Sequence, residues 1–440
     1  MSIQQAQSGI DAATYVRQQA ELAHRASRRL AMCTTAEKNA ALGRIAQAIQ
    51  AHAPRILAAN ALDMEAGRAA GMGTKLDRLL LTEERIQVIC RDIGNVAELP
   101  DPVNEDIDGR TRPNGLRVRR VRVPLGVVGI IYEARPNVTV DAAVLALKSG
   151  NAVVLKGGSD ALHSNRAIVV AIREGLGEGA VSGNTVPADA VQLLDATDRA
   201  VTAAFLRMRG LIDVIIPRGG LELIRFAQEH ATVPVIETGA SVVHAYVDEH
   251  VDVAQAVDLI ENSKCRRVSI CNALDTLLVH RAVLPRLAPA LGARLAQAHP
   301  AVEVRADKAA LAALRGHLPA DRLRPLEAAR DYGTEFLDYI LAVGTVGSLM
   351  EAVDHIDRYS LKHTEAIFTT DAAQALLFQR AVDAACVIHN ASTQFTDGGE
   401  FGLGAEIGIS TQKLHVRGPF ALEGLTTMKW IVDGTGQLRP

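Results

Sequence analysis

The chain has 440 residues, of which 48% are hydrophobic, 22% charged and 3% aromatic, with a formal charge of −3. That length supports two or three domains with large cores, and the mixed composition excludes collagen-like repeats, long disordered tracts and coiled-coil fibres. Near-neutral charge and few aromatic residues argue against a nucleic-acid partner, which calls for basic patches or stacking platforms.

Residues 1–30 lack the apolar stretch of a secretory signal and read as a helix with Val16, Ala20, Ala23 and Leu30 on one face. Thr34 and Glu37 have capping-box spacing ahead of Leu42, Ile45 and Ile49, so the first hundred residues are expected to be helical. Residues 100–109 read as an acidic linker. Residues 116–123 alternate valine with arginine, and a slip at Arg119-Arg120 predicts a bulge. This ribbon is expected to be an edge that pairs with another subunit rather than a nucleic-acid arm. The longest apolar stretch, 123–132, is too short for a membrane span and contains Pro124.

From Gly126 a strand–helix rhythm begins. Strands are predicted at 127–131, 152–155, 191–194, 213–216 and 233–236, with a helix over 141–149 closed by Gly150. A second series follows at 242–247, 274–279, 339–343, 366–369 and 385–388. The fold class is therefore α/β, with two parallel-sheet domains that meet near 236–239. The five cysteines (Cys33, Cys90, Cys265, Cys271, Cys386) are odd in number and scattered, which fits thiols in a reducing cytoplasm rather than a disulfide framework.

Two glycine turns follow predicted strands: Lys156-Gly157-Gly158-Ser159 and Pro217-Arg218-Gly219-Gly220. Backbone amides in such turns suit a dinucleotide phosphate, but each turn alone reads equally as plain chain reversal, and the G-x-G-x-x-G fingerprint is absent. Locally, Cys271 fits either a buried small hydrophobe or a nucleophile whose thiolate Arg267 favours. No metal site is expected, since H-E-x-x-H and C-x-x-C are both missing and His363, His389 and His415 are dispersed. Carboxylates over 63–77 and 252–261 read as solvated helix faces.

Several segments together carry a resemblance: Tyr132-Glu133-Ala134-Arg135-Pro136-Asn137-Val138-Thr139, Leu147-Lys148-Ser149-Gly150-Asn151, Pro217-Arg218-Gly219-Gly220, Cys271-Asn272-Ala273, and the block 390–414. They resemble the γ-glutamyl phosphate reductases (glutamate-5-semialdehyde dehydrogenases), a branch of the aldehyde dehydrogenase superfamily. Glu237-Thr238-Gly239 is similar to the superfamily's general-base motif, Asn137 to its oxyanion asparagine, and Glu335-Phe336-Leu337 to its ribose-contacting segment.

The resemblance implies an aldehyde dehydrogenase-like fold. It places an NADP-binding domain over 1–238 (interrupted by an arm at 105–123), a catalytic domain over 239–395, and a C-terminal return and oligomerisation tail over 396–440. It also implies NADPH-dependent reduction of L-glutamyl 5-phosphate to L-glutamate 5-semialdehyde and phosphate, the second step of proline biosynthesis. Cys271 would be the nucleophile, Asn137 an oxyanion donor and Glu237 a proton-transfer group. Arg135 would bind the substrate carboxylate or phosphate, or serve in a structural ion pair. Lys156, Gly157, Gly158, Ser159, Pro217, Arg218, Gly219, Gly220 and Glu335 would hold the cofactor.

Implied partners are the small acyl-phosphate substrate, a second copy of the chain and glutamate 5-kinase through channelling, with no nucleic acid and no membrane. The chain departs from the family pattern at Ser241 (glycine there), Val243, Arg266 and Val268. An oxidative semialdehyde dehydrogenase, or a paralogue acting on a related acyl phosphate, is the alternative reading.

Overall fold

The computed structural model describes residues 11–73, 76–133, 135–177, 186–298 and 302–439. The chain forms two compact units: Met1–Thr238 with Gly402–Gly408 and Phe420–Pro440, and Gly239–Phe401 with Ile409–Pro419.

In the first unit the opening helix, Ala12–Leu30, buries Val16, Ala20, Ala23 and Leu30. Thr34 and Glu37 close a reciprocal capping box at the start of Thr35–Ala51. Helices Ala53–Ala69 and Glu83–Glu98 follow. Asp63 is buried rather than on a solvated face. Its carboxylate accepts from the His163 and Ser164 backbone N–H at 3.2 and 2.8 Å, so it satisfies two of the otherwise unpaired donors at the start of helix Leu162–Gly175.

The sheets are built from strands numbered along the chain. In the first unit these are β1 (Asp106–Thr111), β2 (Arg117–Pro124), β3 (Val127–Tyr132), β4 (Ala152–Gly157), β5 (Val191–Leu193) and β6 (Val214–Arg218). The parallel sheet has the order β5-β4-β3-β6, and every residue of β3 and β4 is buried. The helix after β3 spans Pro136–Lys148, starting before residue 141 because Pro136 is preorganised for the first helical position. Residues 233–236 form only a single bridge to Ile215 instead of a strand. Pro234 has no N–H to extend the ladder.

The second unit holds β7 (Val243–Val247), β8 (Leu274–His280), β9 (Glu303–Ala306), β10 (Leu323–Pro325), β11 (Ile340–Val346), β12 (Thr364–Phe368) and β13 (Cys386–His389). All pair in parallel, in the order β10-β9-β11-β8-β7-β12-β13. One core packs Val243, Ala245, Val247, Ile260, Leu274 and Leu277, and the other face packs Tyr246, Leu278, Ile356 and Phe378. Burial on both faces is why these strands read as continuous apolar runs.

Two short strands, β14 (Gly408–Ser410) and β15 (Gly418–Phe420), mark where the chain passes between units, and β16 (Thr426–Asp433) follows. In the first unit β1, β2 and β16 form an antiparallel sheet. The valine–arginine ribbon is its central strand, not an edge. Its predicted bulge lies instead on β1, where the register shifts between Asp106 and Asp108, while β2 pairs regularly with β16 throughout. The acidic linker therefore contributes a strand, and Arg119, Arg120 and Arg122 pair with Asp106, Asp108 and Glu105. Among the described residues no helix is long and apolar enough to cross a membrane, and no disulfide joins the five cysteines.

Candidate active site

In the second unit, helix Val253–Cys265 is started by Asp252, whose carboxylate accepts from Ala254 and Gln255 N–H. It ends at Cys265, and a turn over 266–273 leads into β8 with Cys271 partly exposed within it. Segment 392–396 clamps this turn from the side. Gln394 Nε2 donates to the Ser263 carbonyl at 2.9 Å, and its Oε1 accepts from Arg266 at 3.1 Å. The Asn272 side-chain amide donates to the Thr396 carbonyl at 2.9 Å, and Thr393 Oγ1 donates to the Asn272 carbonyl at 2.7 Å. The two cysteines near this turn are chemically distinct. Burial, with Glu261 beside it, pushes the Cys265 thiol up to about 12, so it stays protonated and unreactive at neutral pH.

Two buried ionisable groups sit behind the turn. Asp275 on β8 accepts from the Val243 and Phe336 backbone N–H at 3.2 and 3.1 Å, joining β7 to the Glu335 segment. Burial raises its carboxyl to about 6, opposed by Lys264. The Lys264 ammonium is itself buried, faces the Phe336 ring at 5.8 Å, and has no hydrogen-bond partner among the described residues. Desolvation pulls its pKa down, partly offset by Asp275. Ser241, also fully buried, bonds to both the Cys271 carbonyl and the Glu335 carboxylate.

In the first unit the other site residues gather along the C-terminal edge of one sheet. Tyr132 on β3 lies opposite Gly157 on one side and Arg218 on the other. The Arg135 loop, Gly157-Gly158 and Gly219-Gly220 therefore leave neighbouring strands. Half-buried Arg135 precedes helix Pro136–Lys148, and exposed Asn137 lies in its first turn. Asn137 Nδ2 donates to Asp141 at 3.2 Å. Burial raises the Asp141 carboxyl to about 6 against the pull of Arg218. Behind them, Tyr132, Thr139 and Asn165 form a buried hydrogen-bonded chain that fixes this helix to Leu162–Gly175.

The glycines have different reasons to be small. A Cβ on Gly157 would lie 2.2 Å from Asn165 Nδ2, so its size serves the core. A Cβ on Gly219 would meet the Glu133 carboxylate at 2.8 Å, and the Gly220 N–H donates to that carboxylate at 3.2 Å. Lys156 is buried and donates to the Gly157 carbonyl at 3.0 Å, while Ser159 is exposed. Pro217 is buried and its carbonyl accepts from Thr238 Oγ1. Glu237, half-buried, stands at the end of the first unit's main segment.

Residues 5–314 match the aldehyde dehydrogenase family. A γ-glutamyl phosphate reductase from Sphingopyxis alaskensis is 52% identical over 432 residues, 98% of this chain and 97% of that one. The chain belongs to the γ-glutamyl phosphate reductase family. It is an oxidoreductase by that membership. The crystal structure of the family member from Thermotoga maritima superposes with a TM-score of 0.91 at 43% identity, covering 97% of this chain and all of that one. An engineered glycolyl-CoA reductase with bound NADP+ shares the fold alone, at a TM-score of 0.67 and 15% identity over 95% of this chain and 96% of that one.

The first unit thus carries Arg135, Asn137, Lys156–Ser159, Pro217–Gly220 and Glu237, and the second carries Cys271 and Glu335. Sequence reasoning missed Asp275, Lys264, Gln394 and Asp141. The first two stand close to Cys271 in the chain, and a charged residue inside an otherwise apolar strand or helix face was the available signal. Gln394 carried no signal beyond its place in the C-terminal block.

Proposed function

We propose that this member of the family catalyses NADPH-dependent reduction of L-glutamyl 5-phosphate to L-glutamate 5-semialdehyde and phosphate. Family membership at 52% identity over nearly the whole chain carries this reading. The partly exposed Cys271 in its clamped turn gives it a nucleophile.

The Cys271 thiolate bonds to the γ-carbonyl carbon, and phosphate departs with the electron pair of the broken C–O bond. Asn137 and the Cys271 N–H are the assigned oxyanion donors, and Glu237 the proton-transfer group. Arg135 takes the substrate carboxylate or phosphate through its planar fork. The first unit fits a dinucleotide phosphate, because the Gly220 N–H at the start of helix Leu221–His230 already donates to a carboxylate oxygen. In this reading Lys156–Ser159, Pro217–Gly220 and Glu335 hold the cofactor. When bound, the nicotinamide supplies the hydride that reduces the thioester.

The reading assigns the glycine turns that hold the cofactor to the first unit, and Glu335 and the nucleophile to the second, in a reducing cytoplasmic setting that keeps Cys271 a thiol. It includes assembly with a second copy of the chain through the β1-β2-β16 sheet, where Met428, Trp430 and Val432 are each more than half exposed. It also includes hand-over of the activated acyl phosphate from glutamate 5-kinase.

The test is the reverse reaction. Glutamate semialdehyde should reduce NADP+ only when phosphate is present, and faster than it reduces NAD+. Phosphate-independent turnover would instead identify an oxidative enzyme using Glu237 and water.

A further inference from the structure

Ser241 has one hydroxyl proton and two acceptors. Its Oγ is in donor geometry toward the Cys271 backbone carbonyl and, at 3.0 Å, toward Glu335 Oε1. The side chain is fully buried, so water is not a third partner. A hydroxyl donates one hydrogen bond at full strength, so whatever else engages the Glu335 carboxylate decides how much of that proton the Cys271 carbonyl receives. The two acceptors belong to different elements: the turn carrying the nucleophile, and the Glu335-Phe336-Leu337 segment that precedes β11. Asp275 already ties the Glu335 segment to β7, the strand that follows Ser241, through the Phe336 and Val243 N–H groups. A shift in the Ser241 proton therefore acts on a fixed frame, and its effect falls on the Cys271 peptide.

We propose that Ser241 is a positioning residue that couples occupancy of Glu335 to the conformation and reactivity of the Cys271 turn. This rests on the assignment of Cys271 as nucleophile and Glu335 as a cofactor contact. With Glu335 facing only protein groups, the hydroxyl is shared between two acceptors. Once cofactor hydroxyls donate to the Glu335 carboxylate, its demand for the Ser241 proton falls and the proton goes to the Cys271 carbonyl. The turn is then held in one geometry when the reductant is in place. Glycine at this position, the residue of the family pattern, has no atom that could make either bond, so the coupling belongs to this chain.

The test is the rate at which iodoacetamide alkylates Cys271, followed by peptide mass mapping with and without saturating NADP+. The measured quantity is the ratio of the two rates. In the wild type NADP+ should change the rate, and the ratio in Ser241→Ala and Ser241→Gly should differ from it by about three- to tenfold, the worth of one buried hydrogen bond. Two variants are used so that a packing fault at alanine does not decide the outcome, and NADPH fluorescence confirms that each still binds cofactor. Glu335→Gln should also alter the ratio, because it removes the competing carboxylate. Equal ratios, within twofold, in the wild type and both Ser241 variants would overturn the coupling while leaving Cys271 as nucleophile. Alkylation of another cysteine in preference to Cys271 would remove the nucleophile assignment and the coupling together.

Discussion

Asp141 is the carboxylate that holds the Asn137 side chain, and burial sets its pKa near the neutral range at about 6. Below that pH it gains a proton and loses the charge that orients the Asn137 amide. The reverse-reaction kcat/KM is therefore expected to fall as pH drops through about 6. Asp141→Asn, which keeps the shape and cannot titrate, should remove that limb while Asn137→Ala lowers the whole profile. A pH–rate series on the three proteins checks this. At the same scale, the assignment of Cys271 and its flanking departures was read from residues contiguous in the chain. Asp275, Lys264 and Gln394 were not, because their role depends on contacts such as Gln394 to Ser263, 131 residues apart.

The elements that matter most are the turn after helix Val253–Cys265 and the segment that clamps it. Gln394→Ala removes an acceptor for Arg266 and a donor to Ser263, so the turn loosens while the proposed cofactor edge in the first unit keeps its own contacts. Steady-state kinetics should show kcat falling about tenfold, with the KM for NADP+ changed less than twofold. In the first unit, Asp63→Ala strips two backbone donors and the Ser164 hydroxyl of their shared acceptor. That is expected to cost about 1–3 kcal/mol, measured as a lower thermal unfolding midpoint. Element existence was legible wherever period and length were strong, as in Ala12–Leu30 and the central strands of the second unit. It was lost for β9, β10, β14 and β15, which are three or four residues long, and for the longer β1 and β16, whose mostly exposed residues carry no apolar alternation. The bulge was misplaced for a physical reason: β2, with a neighbour on each side, stays regular, and β1 at the sheet edge takes up the irregularity.

At the scale of the molecule, two α/β units were legible from the strand–helix rhythm, but the chain's returns over Gly402–Gly408 and Phe420–Pro440 were not resolved at that level of detail. The buried histidines shape acid behaviour. Burial lowers His355 to about 3 and His363 to about 4, from 6.5. Each therefore binds fewer protons folded than unfolded below pH 6.5. Their stabilising contribution is intact above pH 6.5 and is lost as pH falls toward the folded values. His355 packs against Tyr332 and Tyr359, so His355→Phe keeps the aromatic contacts and cannot take up a proton. Its stability relative to the wild type should improve as pH drops from 7 to 5, by up to about 2 kcal/mol. Thermal melts across that range check the direction.

The account rests on Cys271 as the nucleophile of a phosphate-dependent reaction, and removal of its sulfur tests that directly. Cys271→Ala, shown to be folded and to bind NADPH, should lose phosphate-dependent NADP+ reduction by glutamate semialdehyde by about a thousandfold or more. Cys265→Ala, measured alongside it, should keep the activity within a few-fold. A Cys271→Ala enzyme retaining activity within tenfold of the wild type would contradict the account.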